Sequence, residues 1–291
     1  MKTKRILSII LMSVMLIVCL VGCGADEGTF DAENDINVVS REDGSGTRGA
    51  FVELFGIEEK SADGSKTDKT TKEAIIANKT DVMLTNVSGD TYAIGYVSLG
   101  SLSDSVKALK IDGAEATADN VKKGIYKVSR PFNIATKGEL SDLTADFIDF
   151  ILSAEGQEIV AQSYIAVNED APSYKGTKPN GKIVVSGSSS VSPIMEKLKE
   201  AYLTVNPGAK IEIQTNDSTS GITSTIDGTC DIGMASRELK QSEMDEGLAS
   251  TVIALDGIAI IVNPANTLDN LSADQVKSIF TGETTVWSDV H

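Results

Sequence analysis

Apolar and polar positions divide the chain into short units of changing period. Residues 6–20 form a largely apolar run of 15 residues, the length of a signal-peptide core and short for a membrane-spanning helix. After it, residues 36–39 (Ile-Asn-Val-Val) read as a buried strand, and Gly44, Ser45 and Gly46 open a helix through 49–55. Residues 70–77 read as another helix, 93–97 as a strand and 127–135 as extended chain. Over 143–164, Phe147, Ile148, Ile151, Leu152, Ile159 and Val160 recur at helical spacing and predict one or two helices. Residues 168–181 hold two prolines and two glycines without apolar periodicity and read as a surface linker. A second strand, turn and helix follow at 182–185, 187–190 and 191–202. Strands at 211–214 and 231–235 flank a short helix at 221–226; 255–262 is the most apolar strand, and Ser272 caps a helix that ends at Thr281-Gly282. Strands alternating with helices predict an α/β architecture with largely parallel sheets.

The leader changes the picture of where the chain resides. Lys2, Lys4 and Arg5 precede the apolar run, and Leu20-Val21-Gly22-Cys23 closes it in a pattern that resembles the lipobox of bacterial lipoproteins. The expected organisation is a signal peptide over 1–22, a lipidated tether over 23–35 beginning at Cys23, and a folded remainder held at the extracytoplasmic face of the cell membrane. Removing the three positive charges of residues 1–22 takes the formal charge from −16 to −19. Such an acidic chain is a poor partner for nucleic acid or for a polybasic membrane contact. It is still compatible with a bound anion, because salt screens distant charge beyond about 10 Å. Of the three cysteines, Cys19 lies in the leader and Cys23 would carry lipid, so Cys230 is left without a disulfide partner and is expected to pack as a small hydrophobe.

Two segments share one logic. VVSREDGSGTRGAF and IVVSGSSSVSPIM each carry a buried strand into a Gly/Ser turn and then a helix. A helix start offers free N–H groups and the positive end of the dipole, and hydroxyls add donors. Asn216-Asp217-Ser218-Thr219-Ser220-Gly221 repeats the theme. Each turn alone reads more readily as an ordinary cap than as a ligand site; three of them, one beside Arg41, point to an oxyanion site. Neither turn has the Gly-Lys-Ser/Thr of a nucleotide-binding loop. The only histidine is His291, no Ser-x-x-Lys occurs, and no pair of carboxylates stands at a catalytic spacing, so hydrolytic machinery is not expected. Histidine and cysteine are too few for a zinc site, and neither metal nor cofactor is expected. Tyr92, Tyr96 and Trp287 read as packing residues.

These motifs, with DSTSGI, DIGMASREL, LDGIAIIVNP and IFTGETTVWSDV, resemble the phosphate-binding lipoproteins of the high-affinity phosphate ABC importer over nearly all of residues 36–290. The resemblance implies a two-lobed periplasmic-binding-protein-like fold (type II) with two crossover strands, near 128–135 and 255–262. One lobe would be continuous over 127–256, the other assembled from 36–126 and 257–291. The family order places VSGSSSVSP first, whereas here REDGSGTR comes first. Joining Val290 to Asp35 restores that order, so the chain is expected to be circularly permuted, with the linker at 168–181 bridging the family's original ends. Carried over residue by residue, Arg41 forks onto phosphate oxygens; Ser45, Gly46 and Thr47 donate from one lobe; Ser188, Ser189 and Ser190 donate from the other; Ser218 closes the third side; and Asp43 orients Arg41. The family's Asp in the turn after the D-x-G strand is Arg237 here, following Ala235-Ser236, so that anionic acceptor is missing. The implied protein is a monomeric binder of inorganic phosphate that serves ABC permease subunits and is not an enzyme. A binder of sulfate or another oxyanion, a secreted phosphate-ester hydrolase and a surface sensor are the alternatives.

The lipobox yields a direct test. Cys23→Ser is expected to abolish lipid attachment and leave the protein unprocessed or released, as read by labelled-palmitate incorporation and membrane fractionation. A Cys23→Ser protein that is processed normally and stays with the membrane would disprove the anchor.

Overall fold

The computed structural model describes residues 30–61 and 66–290; the leader, Cys23, the first part of the tether and His291 lie outside them. In chain order the elements are β1 (Asn37–Arg41), α1 (Gly46–Leu54), β2 (Glu58–Lys60), β3 (Lys66–Asp68), β4 (Ile75–Ala77), α2 (Thr80–Gly89), β5 (Ala93–Ser98), β6 (Lys107–Ala108) and β7 (Lys110–Ile111). Next come α3 (Ala118–Lys122), β8 (Ser129–Lys137), α4 (Asp142–Leu152), α5 (Ala154–Ala161), β9 (Gly181–Ser188), α6 (Ser192–Val205) and β10 (Ala209–Asn216). The chain closes with α7 (Ser218–Ile226), β11 (Ile232–Ala235), α8 (Gln241–Asp245), β12 (Leu248–Val262), β13 (Asn270–Leu271) and α9 (Ala273–Thr281).

One path of strands, β10-β9-β11-β8-β12-β5-β1-β4, runs through the molecule, with β6 beside β12. Its two ends are parallel, as strand–helix alternation demands, but the middle is antiparallel at β11/β8, β8/β12 and β12/β5. The sheet is therefore mixed rather than largely parallel. The reason is β12, whose 15 residues serve two neighbourhoods: Leu248 to Gly257 pair with β8, and Ile258 to Val262 pair with β5.

Apolar side chains divide at the same place. Phe51, Ile94, Tyr96, Tyr126, Ile258, Ile260 and Phe280 share one core, and Val39, Met83, Val97, Ala259 and Ile261 pack on the opposite face of the same strands. The alternation of 258, 260 and 262 against 259 and 261 is the two-residue period of a strand covered on both faces. A separate core holds Phe132, Phe147, Ile151, Ile183, Val185, Leu198 and Ile232, with Ile222, Ala235 and Leu248 on its far side. The chain passes between the two at 128–132 and 254–258.

Caps explain several boundaries. Ser141 and Ser153 each accept a backbone N–H, from Thr144 and Gly156, which splits 142–161 into two helices. Ser272 and Gln275 form a capping box on α9, and Gly282 ends it at φ +80. The expected helix over 70–77 is not formed. Residues 75–77 pair in parallel with Val39, Ser40 and Arg41 as an edge strand, and the helix begins at Thr80 instead. β-Branched Ile75 and Ile76 suit the free edge beside β1 better than a short helix with no cap.

The first described residues lie against the last. Asp35 bridges Val286, Ile36 N–H donates to Thr285 at 2.7 Å, and Ser288 N–H donates to Ala32 at 2.7 Å. Trp287 packs between them with its indole N–H on the Tyr92 carbonyl. The segment 168–180 has no regular structure, and Gly181 already belongs to β9, but the segment is pinned: Asp146 accepts from Tyr174, Tyr202 and the Thr177 N–H. Burial opposes the charge of Asp146, but the hydrogen bonds from Tyr174, Tyr202 and the backbone outweigh it and hold the carboxyl below its ordinary value of 3.8. A depressed carboxylate stabilises the fold above its unfolded pKa and loses that contribution as pH falls through the folded one. Asp146→Ala is therefore expected to cost about 1.5–3 kcal/mol in urea denaturation at pH 7. The deficit relative to the unaltered chain should shrink below pH 4; a deficit independent of pH would mean that packing, not the charge, is lost.

Candidate functional site

Burial of a cation is the central feature. Arg41 ends β1 and is 2% exposed. Its backbone N–H donates to the Tyr96 hydroxyl at 3.1 Å, and Tyr96 stacks on Phe51 with ring centroids 3.9 Å apart. Burial pushes that hydroxyl up to about 12, so it stays protonated and fixed. The guanidinium forks onto Glu42 through Nε and Nη2, both at 2.8 Å, and Nε also donates to the Ala77 carbonyl at 3.2 Å. Two of the remaining hydrogens point at hydroxyls: one on Nη2 to Ser189 at 3.1 Å and one on Nη1 to Thr80 at 3.4 Å. Asp43 does not orient Arg41. It is exposed and pairs with Arg48 at 2.7 Å, because the residue next to Arg41 in sequence, Glu42, already occupies the fork.

Around Arg41 the structure gathers hydroxyls from both cores. Thr47, on the second residue of α1, lies 2.9 Å from Ser190 and 3.4 Å from Ser236. Thr80 touches Ser189 and Ser190, each at 3.2 Å, and its N–H donates to Ser189 at 3.3 Å. Ser218 lies 3.3 Å from Ser236 and accepts from its N–H at 3.1 Å. All of these are buried. Donor bookkeeping orders them: Ser189 Oγ accepts from Arg41 and from the Thr80 N–H, so its own proton goes on to Thr80. Along Ser190, Thr47, Ser236 and Ser218 either hydroxyl of each pair can be the donor.

Of the residues expected from sequence, Arg41 meets Ser189 and Thr47 meets Ser190 directly, and Ser218 joins them through Ser236. Ser45 is the N-cap of α1, accepting from Arg48 N–H at 3.3 Å, and it holds Gly46 and Thr47 with N–H groups that have no intrahelical partner. Ser188 is a step behind: its hydroxyl accepts from the Ser190 N–H at 3.3 Å and shapes the turn. The Ser189 N–H is bound to the Asn216 carbonyl at 2.9 Å, so this turn presents hydroxyls rather than backbone donors. Thr80 and Ser236 complete the cluster and were missed as site residues. Thr80 was hidden by the misplaced helix over 70–77; Asn78-Lys79-Thr80-Asp81 before Val82 and Met83 is a helix start that signals it. Arg237 turns away onto Glu243, at 2.7 and 2.9 Å, while its stem lies against α1 near Gly46. A groove of about 720 Å³ along the 168–181 linker is lined by Asp142, Asp146 and Asp149 and has the wrong charge for an anion. Among the described residues no group of His, Cys, Asp and Glu is arranged to hold a metal.

The profile of the PBP superfamily domain matches residues 26–155 and 172–291. Phosphate-binding protein PstS 2 of Streptococcus agalactiae serotype V is 54% identical over all of this chain and 99% of its own. The protein of the same name from Streptococcus pneumoniae serotype 4 is 46% identical over 93% of this chain and 94% of its own. The crystal structure of a phosphate-binding protein of a phosphate ABC transporter from Streptococcus pneumoniae matches with a TM-score of 0.70 and 46% identity, over 89% of this chain and all of that one. Phosphate-binding protein PstS of Bacillus subtilis aligns at 31% identity over only 42% of this chain and 41% of its own.

The closeness of the two cores can be tested at Gly46. A Cβ there would sit 2.4 Å from Ser218 Oγ and 2.8 Å from Ser236 Oγ, both on the opposite core. Gly46→Ala is expected to hold the cores apart, raising the radius of gyration in small-angle scattering while leaving the circular dichroism spectrum intact. An unchanged radius would show that the two serines give way instead.

Proposed function

The chain belongs to the PBP superfamily and, within it, to the family of the streptococcal phosphate-binding proteins, and we propose that it captures inorganic phosphate between its two cores and delivers it to an ABC-type importer. The observation that carries this reading is the convergence of one buried guanidinium with hydroxyls from both cores on a single point. A tetrahedral oxyanion entering there takes the two Arg41 hydrogens now directed at Ser189 and Thr80, the Thr80 N–H, and the free N–H groups of Gly46 and Thr47. Ser189, Ser190, Ser218, Thr47 and Ser236 each donate or accept as the ligand requires. Ser45 and Ser188 support the turns. Because donors come from both sides, binding and closure of the cores are one event.

The two cores are read as lobes over 36–126 with 257–291 and over 127–256, joined at the crossing strands, in a circularly permuted chain. The antiparallel contact between Asp35 and Val286, and the partial alignment with the Bacillus subtilis protein, support that order. The lipobox at Cys23 supports attachment to the outer face of the membrane, where an importer's permease subunits receive the ligand. Among the described residues no helix is long and apolar enough to cross a membrane. The hydroxyls bond to one another and to Arg41, which supports a binding role over ester hydrolysis, and the protein is read as a monomer. A broader oxyanion binder is the second reading, favoured by one observation: the Ala235-Ser236-Arg237 turn presents no carboxylate to a protonated phosphate.

Calorimetry on the chain from residue 24 onward decides between these. Phosphate is expected to bind one per chain and to outcompete sulfate. Arg41→Ala should remain folded and lose about 2–5 kcal/mol of phosphate binding, as for other buried charge pairs. Equal affinity for sulfate would favour the broader reading. Unchanged phosphate affinity in Arg41→Ala would remove Arg41 from the site.

A further inference from the structure

A second buried cation sits where the chain passes between the cores. Arg130 on β8 and Asp256 on β12 face each other across the antiparallel ladder, Nη2 to Oδ2 at 3.0 Å, with side chains 2% and 0% exposed. Each partner is tied to a different core. The other oxygen of Asp256 accepts from Ser98 on β5 at 2.9 Å. The Arg130 guanidinium lies over the Phe132 ring, 5.3 Å from its centroid, and Phe132 belongs to the core on the far side. The linkage Ser98–Asp256–Arg130–Phe132 therefore runs from one core to the other.

Stability alone does not account for this pair. Arg130 Nε and Nη1 are buried without a hydrogen-bond partner, and so is the nearby Tyr164 hydroxyl. A buried ion pair with unsatisfied donors is generally no more stable than apolar side chains of similar size. Burial pushes Asp256 up to about 6 and holds Arg130 below its ordinary value, in both cases against the attraction of the partner. What such a pair does supply is geometry. In a low-dielectric surrounding the attraction falls steeply with misalignment, so the twist of β8 against β12 is fixed where two strands alone would leave it loose.

We propose that Arg130 and Asp256 are a positioning pair that sets the angle between the cores, and so holds Ser189, Ser190 and Ser218 against Arg41, Thr47 and Thr80. The pair acts through the crossing strands. Its effect on affinity rests on the phosphate reading above, whereas its effect on the angle does not. If the binding-competent arrangement falls from nearly all molecules to about a tenth of them, the apparent Kd rises about tenfold.

The double variant Arg130→Met/Asp256→Asn removes both charges together and leaves neither buried alone. It is expected to unfold in urea at or above the midpoint of the unaltered chain. Its radius of gyration without ligand should nevertheless be larger, and its phosphate Kd weaker by about tenfold. Ser98→Ala, which keeps the pair but cuts its tie to β5, should show the same changes in smaller measure and decides the matter if the double variant does not fold. An unchanged radius in the folded variants overturns the proposal. If the unaltered chain fails to bind phosphate, the phosphate reading falls, and the scattering comparison still judges the pair.

Discussion

A guanidinium withdrawn from water at the end of β1 constrains everything near it. Arg41 has five N–H groups and a charge, and burying them unmatched would cost far more than the fold can spare. Glu42 answers the charge, but its two oxygens lie on one side. The rest must come from chain segments that are distant in sequence: the Ala77 carbonyl on β4, the start of α2 at Thr80, and the end of β9 at Ser189. β4 is thereby held beside β1 although Ile75 and Ile76 remain half exposed. α2 is aimed with its positive end at the same point, and the second core is drawn against the first. One buried cation thus explains an edge strand, a helix direction and a contact between cores that local propensity would not have predicted.

The elements legible in the sequence were those with a local cause. The Gly/Ser turns before α1, α6 and α7, the apolar strand ending at Val262, and the Ser272 cap with its Gly282 stop are each written in adjacent residues. What was not legible depended on partners far along the chain. Residues 70–77 have the composition of a short helix until β1 offers them a ladder. The antiparallel centre of the sheet follows from β12 serving two neighbourhoods, which no local pattern shows. In the site, five of the expected residues meet because each stands at a strand end or helix start. Thr80 was lost with the misplaced helix. The partner of Arg41 was assigned to Asp43 rather than Glu42, a difference of one residue that depends only on which carboxylate can lie in the guanidinium plane.

Chain order matters less to this architecture than the closure of its surface. Asp35 and Val286 lie in one small antiparallel contact, sealed by Trp287, Phe30 and Tyr92. The stretch 168–181 passes over the other core and is fixed by Asp146 through two tyrosine hydroxyls and a backbone N–H. In the proposed permutation these are the two junctions, and both are bound by hydrogen bonds to their surroundings. Continuity of the chain is therefore not what holds either place together, and opening one while linking the other leaves the strand order unchanged.

An acidic chain is a natural home for such a site, because the ligand is recognised at contact distance. With a Debye length of about 8–10 Å in physiological salt, the surface carboxylates are largely screened from the buried cluster. Among the described residues, the carboxylate hydrogen-bonded into the cluster is Glu42, and both its oxygens are committed to Arg41. In the proposed site, selection between oxyanions then falls to hydroxyls. A hydroxyl donates to a bare oxygen and accepts from a protonated one, so a chain of them adapts to either charge state of phosphate. Sulfate, with no proton, obliges a hydroxyl that would accept from phosphate to turn and donate instead, which gives up a hydrogen bond within the buried cluster at a cost of up to about 1–3 kcal/mol. Unlike a fixed carboxylate, the hydroxyls do not repel a fully deprotonated anion. Discrimination is therefore gentler, and phosphate recognition need not fade as its second proton leaves.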